Sequence, residues 1–245
     1  MIPYKDENPT FLTPVVTVGI IVVNALIWLF VQGGGSEQSL AASVCRLGLI
    51  PGELTHTLPL GTVVPLGPGI TCVTGPPSYA AIFTSMFMHG GWLHIIGNML
   101  FLWVFGNNIE DSMGHVRFLV FYLLCGVAAA ATQILVDPHS RIPMVGASGA
   151  ISGVLGAYVL LYPRVRVHLL LPLGFFVTTI VLPAYVMLLY WFVLQVLEGT
   201  VGMFARVEGG VAVWAHVGGF LAGLILIKPF TNPALLEQRR VPGAT

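Results

Sequence analysis

The chain has 245 residues, of which 56% are apolar and only 8% charged, with ten basic and ten acidic side chains and no net charge. A soluble domain carries roughly a quarter charged residues, so there is too little charge here to coat a water-facing surface. The neutral balance argues against a polyanion partner and therefore against nucleic-acid binding. The composition is that of a single compact membrane domain.

Residues 1–13 carry both charge signs and read as a short cytoplasmic N-terminus, with no pattern of a cleavable signal. A helix needs about 20 apolar residues to cross a hydrocarbon core about 30 Å thick. Six segments qualify: 14–32, 91–109, 116–136, 147–163, 175–197 and 211–229. The fourth is short and glycine-rich, bracketed by Pro143 and Pro163, which suit a helix start and stop. The expected fold is an all-α membrane protein, with six transmembrane helices over 14–230 and a polar, loose tail over 231–245.

The longest connection, about 33–90, is rich in Gly, Pro and Thr and holds a moderately apolar stretch at 79–88. Loops of this length carry function or structure of their own, and a short interfacial helix is expected within it. Cys45 and Cys72 both fall in this loop, either as a disulfide or as two free thiols, while Cys125 sits in an apolar run as a packing residue. Their spacing fits no zinc motif.

Basic residues set the orientation. With the N-terminus in the cytoplasm, Lys5, Arg117, Arg164, Arg166, Lys228, Arg239 and Arg240 are inside and Arg46, Arg141 and Arg206 outside, seven against three. Both termini are then cytoplasmic and the first loop external.

Polar side chains within spans are costly and call for an explanation. No span carries a carboxylate at its centre, which argues against a proton-coupled carrier and an aspartyl protease, and no H-E-x-x-H is present to argue for a zinc one. Three polar groups remain. His94 and Asn98 in the second span are four residues apart and share a helix face; His89 points elsewhere. Ser148 opens the fourth span within Gly146-Ala147-Ser148-Gly149. His216 lies early in the sixth.

In the chosen orientation spans two, four and six all run inward from outside. These polar groups all lie within the first one to two turns of their spans, and so at a similar depth on the same side. Their chemistry is complementary. A serine hydroxyl becomes a nucleophile when a base hydrogen-bonds to it, and imidazole can take and return that proton. Attack on a peptide carbonyl creates an oxyanion that needs donors, which His94, Asn98 and the Ser148 backbone N–H can supply. Gly149 and Gly153 on span four, and Gly219 and Gly223 on span six, form small-residue faces that let two helix backbones approach closely.

These residues resemble the rhomboid family of intramembrane serine proteases. The resemblance rests on Gly146-x-Ser148-Gly149, His216-x-x-Gly219-x-x-x-Gly223 and His89-x4-His94-x3-Asn98, each on its own span and in family order, with Glu110, Asp111 and Gly114 at the usual end of span two. It covers about 80–230. It implies a six-helix rhomboid bundle with a water-filled cavity opening outward, Ser148 as nucleophile, His216 as base, and Asn98, His94 and the Ser148 backbone as oxyanion hole.

By the same resemblance His89 is structural and no metal or cofactor is required. The partners are the lipid bilayer and single-span membrane proteins cut near the outer end of their helix, and the location is a bacterial cytoplasmic membrane. Substrate would arrive laterally beside span five, under the loop at about 198–210. Two positions depart from the family pattern. Ala80-Ala81 stand where many members carry Trp-Arg, and Ser152 stands where some place a tyrosine stacked on the catalytic imidazole, so another group must fix the His216 ring. Two other classes compete: a catalytically dead relative that escorts membrane proteins, and a small-solute transporter, which would want a midplane carboxylate or a broken helix.

Overall fold

The computed structural model describes residues 1–67, 70–174, 176–205 and 212–240. Arg206, the outer part of the 198–210 loop and the last five residues of the tail lie outside these. The chain begins with a strand, β1 (Ile2–Asp6), and then a helix, α1 (Val15–Phe30). The segment between α1 and the second span is not a bare loop. It holds α2 (Glu37–Leu47), α3 (Pro51–Leu54), the hairpin β2 (Val63–Gly67) and β3 (Ile70–Val73), and α4 (Ala81–Thr84), the last within the apolar stretch expected to be helical. Cys45 on α2 and Cys72 on β3 are joined by a disulfide, and Cys125 is free and buried.

The segment expected as the second span is one unbroken helix from Trp92 to Met113. It comprises α5 (Trp92–Phe101), a π-helical stretch (Leu102–Gly106) and α6 (Asn107–Met113). Then come α7 (His115–Val136) and α8 (Ser148–Leu161), a hairpin of β4 (Arg166–Leu173) and β5 (Phe176–Pro183), α9 (Ala184–Ala205), α10 (Val213–Phe230) and α11 (Pro233–Arg240). Among the described residues α7, α10 and residues 184–203 of α9 are long and apolar enough to cross a membrane, and α1 and α8 are shorter apolar helices.

The chain is mostly helical, but two expectations need correction. It is not all-α: β4 pairs antiparallel with both β1 and β5 in a three-stranded sheet, and β2 with β3 in a second. The fifth helix does not start at 175. Residues 176–183 are strand, and α9 begins after Pro183 and runs to Ala205. Hydropathy scores Phe176-Val-Thr-Thr-Ile-Val-Leu-Pro183 as membrane-like, but its β-branched run favours a pleated strand. Pro183 also lacks the N–H that a continuing helix would use. The tail is likewise less loose than expected, since α11 follows a bond from the Asn232 N–H to the Ser112 carbonyl (3.0 Å).

At the centre lies α8, whose residues from Gly149 to Val159 are all buried. A helix that is apolar and buried all round needs close neighbours on every side, and α7 and α10 provide them. Gly219 faces the Gly149 carbonyl and Gly223 faces the Gly153 carbonyl so closely that an added Cβ at either would overlap backbone. The α8 and α10 main chains are therefore in direct contact, as small-residue faces allow. Around them pack Phe105, Phe118, Phe121, Tyr122, Tyr158 and Phe220, all essentially inaccessible.

Two buried carboxylates on α6 fix α1 and the segment before it. Glu110 accepts bonds from the N–H groups of Val16 (2.9 Å) and Thr17 (2.8 Å) and from the Thr17 hydroxyl (2.7 Å). Asp111 accepts from the N–H groups of Phe11 (3.0 Å) and Leu12 (2.7 Å). The first N–H groups of a helix have no intrahelical acceptor, and a carboxylate there also meets the positive end of the helix dipole. Glu110 thus caps α1 from another element.

Two outcomes follow from the packing. Gly223→Val forces the α8 and α10 backbones apart and should lower stability by about 3 kcal/mol, read as a fall in the thermal unfolding midpoint in detergent. Peptide mapping of the unreduced protein should recover Cys45 and Cys72 in one cross-linked fragment and Cys125 as a free thiol.

Candidate active site

Ser148 is the first residue of α8, and its position is set by the segment before it. Leu49 and Met144 exchange two backbone bonds (Leu49 N–H to the Met144 carbonyl, 3.0 Å, and the reverse, 2.7 Å), and the Gly146 N–H donates to the Ser85 carbonyl (2.9 Å). The first connection thus grips the approach to Ser148 from two sides. Gly146 has φ +127°, a conformation that glycine alone adopts without strain. A Cβ there would lie 2.7 Å from His94 Nε2 and 3.5 Å from Ser148 Oγ. The glycine is required both by its dihedral and by the imidazole beside it.

His216 sits in the first turn of α10, and its Nε2 lies 2.7 Å from Ser148 Oγ. The two residues are 68 apart in sequence and are joined because α8 and α10 touch along their glycines. His94 Nδ1 accepts from the Gly90 N–H (3.2 Å), which leaves Nε2 as the protonated nitrogen. Ser148, His94 and His216 line one cavity of about 560 Å³, whose wall also includes Met86, Gly126, Ala129, Ala130, Gly149 and Ala150.

Asn98 lies one helical turn beyond His94 and is buried. Its amide Nδ2 has no hydrogen-bond partner among the described residues. It does not itself line the cavity, so the structure brings Ser148, His216 and His94 together and leaves Asn98 as an uncommitted donor beside them. An unsatisfied buried amide carries a cost of about 1–3 kcal/mol.

His89 stands just before α5 and is fully buried. Gln32, just past the end of α1 and beside the first connection, holds the His89 main chain. Gln32 Nε2 donates to the His89 carbonyl (2.8 Å), and the His89 N–H donates to Gln32 Oε1 (2.8 Å). Burial, and to a lesser degree the neighbouring His94, pushes the His89 imidazole down to about 3, so it stays neutral. Its ring packs edge-on against His94 at 5.2 Å.

Ser152 uses its hydroxyl on the Ser148 carbonyl (2.6 Å), so it does not replace the absent tyrosine. The group that meets His216 comes from α9, where Gln195 Oε1 lies 2.5 Å from His216 Nδ1. Trp191, four residues earlier on the same helix face, places its ring 5.8 Å from the imidazole at an interplanar angle of 39°. Sequence alone offers Gln195 only as a helix-packing polar residue and Trp191 only as a core or interface anchor. The available signal was their i, i+4 spacing, since an amide on a lipid-level helix needs a polar partner. Gln133 is a similar case: its Oε1 accepts from the Ala215 N–H (3.3 Å), next to His216.

A sequence model of the rhomboid domain matches residues 76–232. RHOMBOID-like protein 5 of Arabidopsis thaliana is 31% identical over 162 residues, 62% of this chain and 47% of that protein. Rhomboid protease GluP of Bacillus subtilis is 34% identical over 105 residues, 42% of this chain and 20% of that protein. Inactive rhomboid protein 1 of Drosophila melanogaster is 32% identical over 102 residues, 42% of this chain and 7% of that protein. The chain spans about half the length of the first of these and much less of the others.

Replacing Gln32 by Ala removes both bonds to the buried His89 main chain. The variant should lose about 1–3 kcal/mol of stability, measured by thermal unfolding, while Cys45 and Cys72 stay paired.

Proposed function

The chain belongs to the rhomboid family, and on that premise we propose that it is an intramembrane serine endopeptidase. The observation that carries the reading is the 2.7 Å contact between Ser148 Oγ and His216 Nε2 inside the cavity. The family includes proteins named protease and a protein named inactive, so membership alone does not decide activity. The paired serine and histidine favour the active reading over that of an escort.

His216 takes the Ser148 proton as Oγ attacks the peptide carbonyl, then returns it to the leaving amine. The negative oxygen of the tetrahedral intermediate is held by the Ser148 N–H, which as a first-turn amide of α8 has no intrahelical acceptor, with His94 Nε2–H and the free Asn98 amide as further donors. The substrate class is single-span membrane proteins, cut near the outer end of their helix.

Six spans follow if α1 and α8, with the unbroken helix from Trp92 to Met113, join the three longest apolar helices. The membrane orientation, with both termini cytoplasmic and the cavity opening outward, is supported by the seven-to-three basic asymmetry and by the disulfide in the first connection, which forms in oxidising compartments. The relatives come from a plant, a bacterium and a fly. They support a membrane location and do not single out the bacterial cytoplasmic membrane expected from the sequence.

Purified protein should react with a fluorophosphonate and cleave members of a panel of single-span substrates. Ser148→Ala should abolish both, and wild type labelling no better than that folded variant would refute the reading. His216→Ala should abolish cleavage with the fold intact; near-normal turnover would require another base. Asn98→Ala should reduce turnover rather than substrate affinity, by about 3–4 kcal/mol at most. A change confined to affinity would remove it from the oxyanion role.

A further inference from the structure

An imidazole can act as a general base only in one of its two neutral forms. To accept the Ser148 proton at Nε2, the ring must carry its own proton on Nδ1. It must also be held against rotation so that Nε2 stays aimed at Oγ. A third group on Nδ1 meets both needs in serine hydrolases generally. The position four residues after Ser148 provides none here, because the Ser152 hydroxyl is committed to the Ser148 carbonyl.

We propose that Gln195 is the positioning residue of the dyad, its side-chain carbonyl holding the proton on His216 Nδ1 and so leaving the Nε2 lone pair directed at Ser148. The inference rests on the serine–histidine reading above. Gln195 Oε1 lies 2.5 Å from Nδ1, while Nε2 lies 2.7 Å from Ser148 Oγ, so the ring is bonded at both nitrogens. A carbonyl oxygen can only accept, which dictates a donor at Nδ1. Trp191, one turn away on α9, lies against the same ring and restricts its tilt. Phe192 stacks on Phe220 at 4.5 Å, tying this part of α9 to α10 one turn below His216.

The proton account balances. Ser148 O–H passes its proton to Nε2 as its oxygen bonds to the carbonyl carbon. The imidazolium then carries N–H at both nitrogens, the one at Nδ1 still bonded to Gln195 and the one at Nε2 ready for the leaving amine. Throughout, the amide of Gln195 neither gains nor loses a proton. A neutral acceptor suits this depth in the membrane, since a carboxylate in the same place would have to be stripped of water at far greater cost.

The location of Gln195 has a consequence. Among the three longest apolar helices α9 is the least enclosed, with 17% of its span buried against 33% for α7 and 44% for α10. The group that orients the base therefore belongs to the most peripheral of these helices, and the dyad is fully aligned only while α9 is seated on α10.

The test uses the full chain in detergent with a cleavable single-span substrate. Gln195→Leu removes the acceptor at similar volume. It should lower kcat about 10–100-fold, the range for loss of an orienting partner, with KM changed by less than about 2-fold. Gln195→Glu, held at this buried site as the neutral acid, keeps a carbonyl acceptor for Nδ1–H and should recover most of kcat. Gln195→Asn withdraws the oxygen by one methylene and should behave like Leu, which keeps the test open if the Leu variant folds poorly.

Nitrogen-15 NMR of His216 should report the Nδ1–H form in wild type and a mixture of forms in Gln195→Leu. Unchanged kcat in the folded Leu and Asn variants, or an Nε2–H form in wild type, would overturn the proposal. A wild-type chain that neither cleaves nor labels would remove the protease reading, and the NMR measurement would still decide the bond to Gln195.

Discussion

The contact between the α8 and α10 backbones governs the rest of the molecule. In lipid no hydrophobic force drives one apolar helix against another, so association depends on close packing and on polar bonds. Ordinary side chains at a helix contact hold the axes about 8–10 Å apart. Here Gly149, Gly153, Gly219 and Gly223 remove them, and the peptide groups of one helix lie on those of the other. Ser148 and His216 both sit in the first turns of these helices. The short side chains of a serine and a histidine can then close the remaining gap to a hydrogen bond. The same closeness explains why α8 is buried on all sides.

The buried and half-buried polar side chains divide into two groups. Most act as clasps between elements far apart in sequence. Glu110 and Asp111 hold the approach to α1 and its first turn, Gln32 holds the main chain of His89, Gln133 holds Ala215, and the Tyr158 hydroxyl donates to Asp6 on β1 (2.5 Å). Each joins two segments that the chain alone would not keep together, and each places its bond where water is scarce and an unpaired group is costly. They support the walls around the cavity. Ser148, His216, His94 and Asn98 form the second group. Their bonds stay within the site, or in the case of Asn98 are left unmade.

The first connection is part of the site's support. Its disulfide pins α2 to the β2–β3 hairpin, its Leu49 pairs with Met144, and its Ser85 carbonyl receives the Gly146 N–H. Leu49 and Ala81 also pack on Ala130 of α7. Ala81 stands at one of the positions where the sequence departs from the common Trp-Arg pair, and its small side chain is used for this close contact. The approach to Ser148 is thus fixed from outside the helical bundle, while the glycine faces fix it from within.

By itself the sequence determined the membrane class and the helices at 15–30, 115–136, 148–161 and 213–230 to within a few residues, and it offered Ser148, His216, His94 and Asn98 as candidates, the first three of which meet at one cavity. Hydropathy and the cost of polar groups in lipid are local properties, and both can be read along a chain. Only the tertiary structure decided that 176–183 is strand, because an apolar β-branched run is equally hydropathic in either form until β4 offers it a partner. Likewise, only the structure revealed the Gln32 clasp, the pairing of Cys45 with Cys72, and Gln195 on His216. Each joins residues on different elements, and their meeting depends on how those elements pack. The question the sequence left, what holds the His216 ring where a tyrosine is absent, is answered from α9, an element no motif had marked.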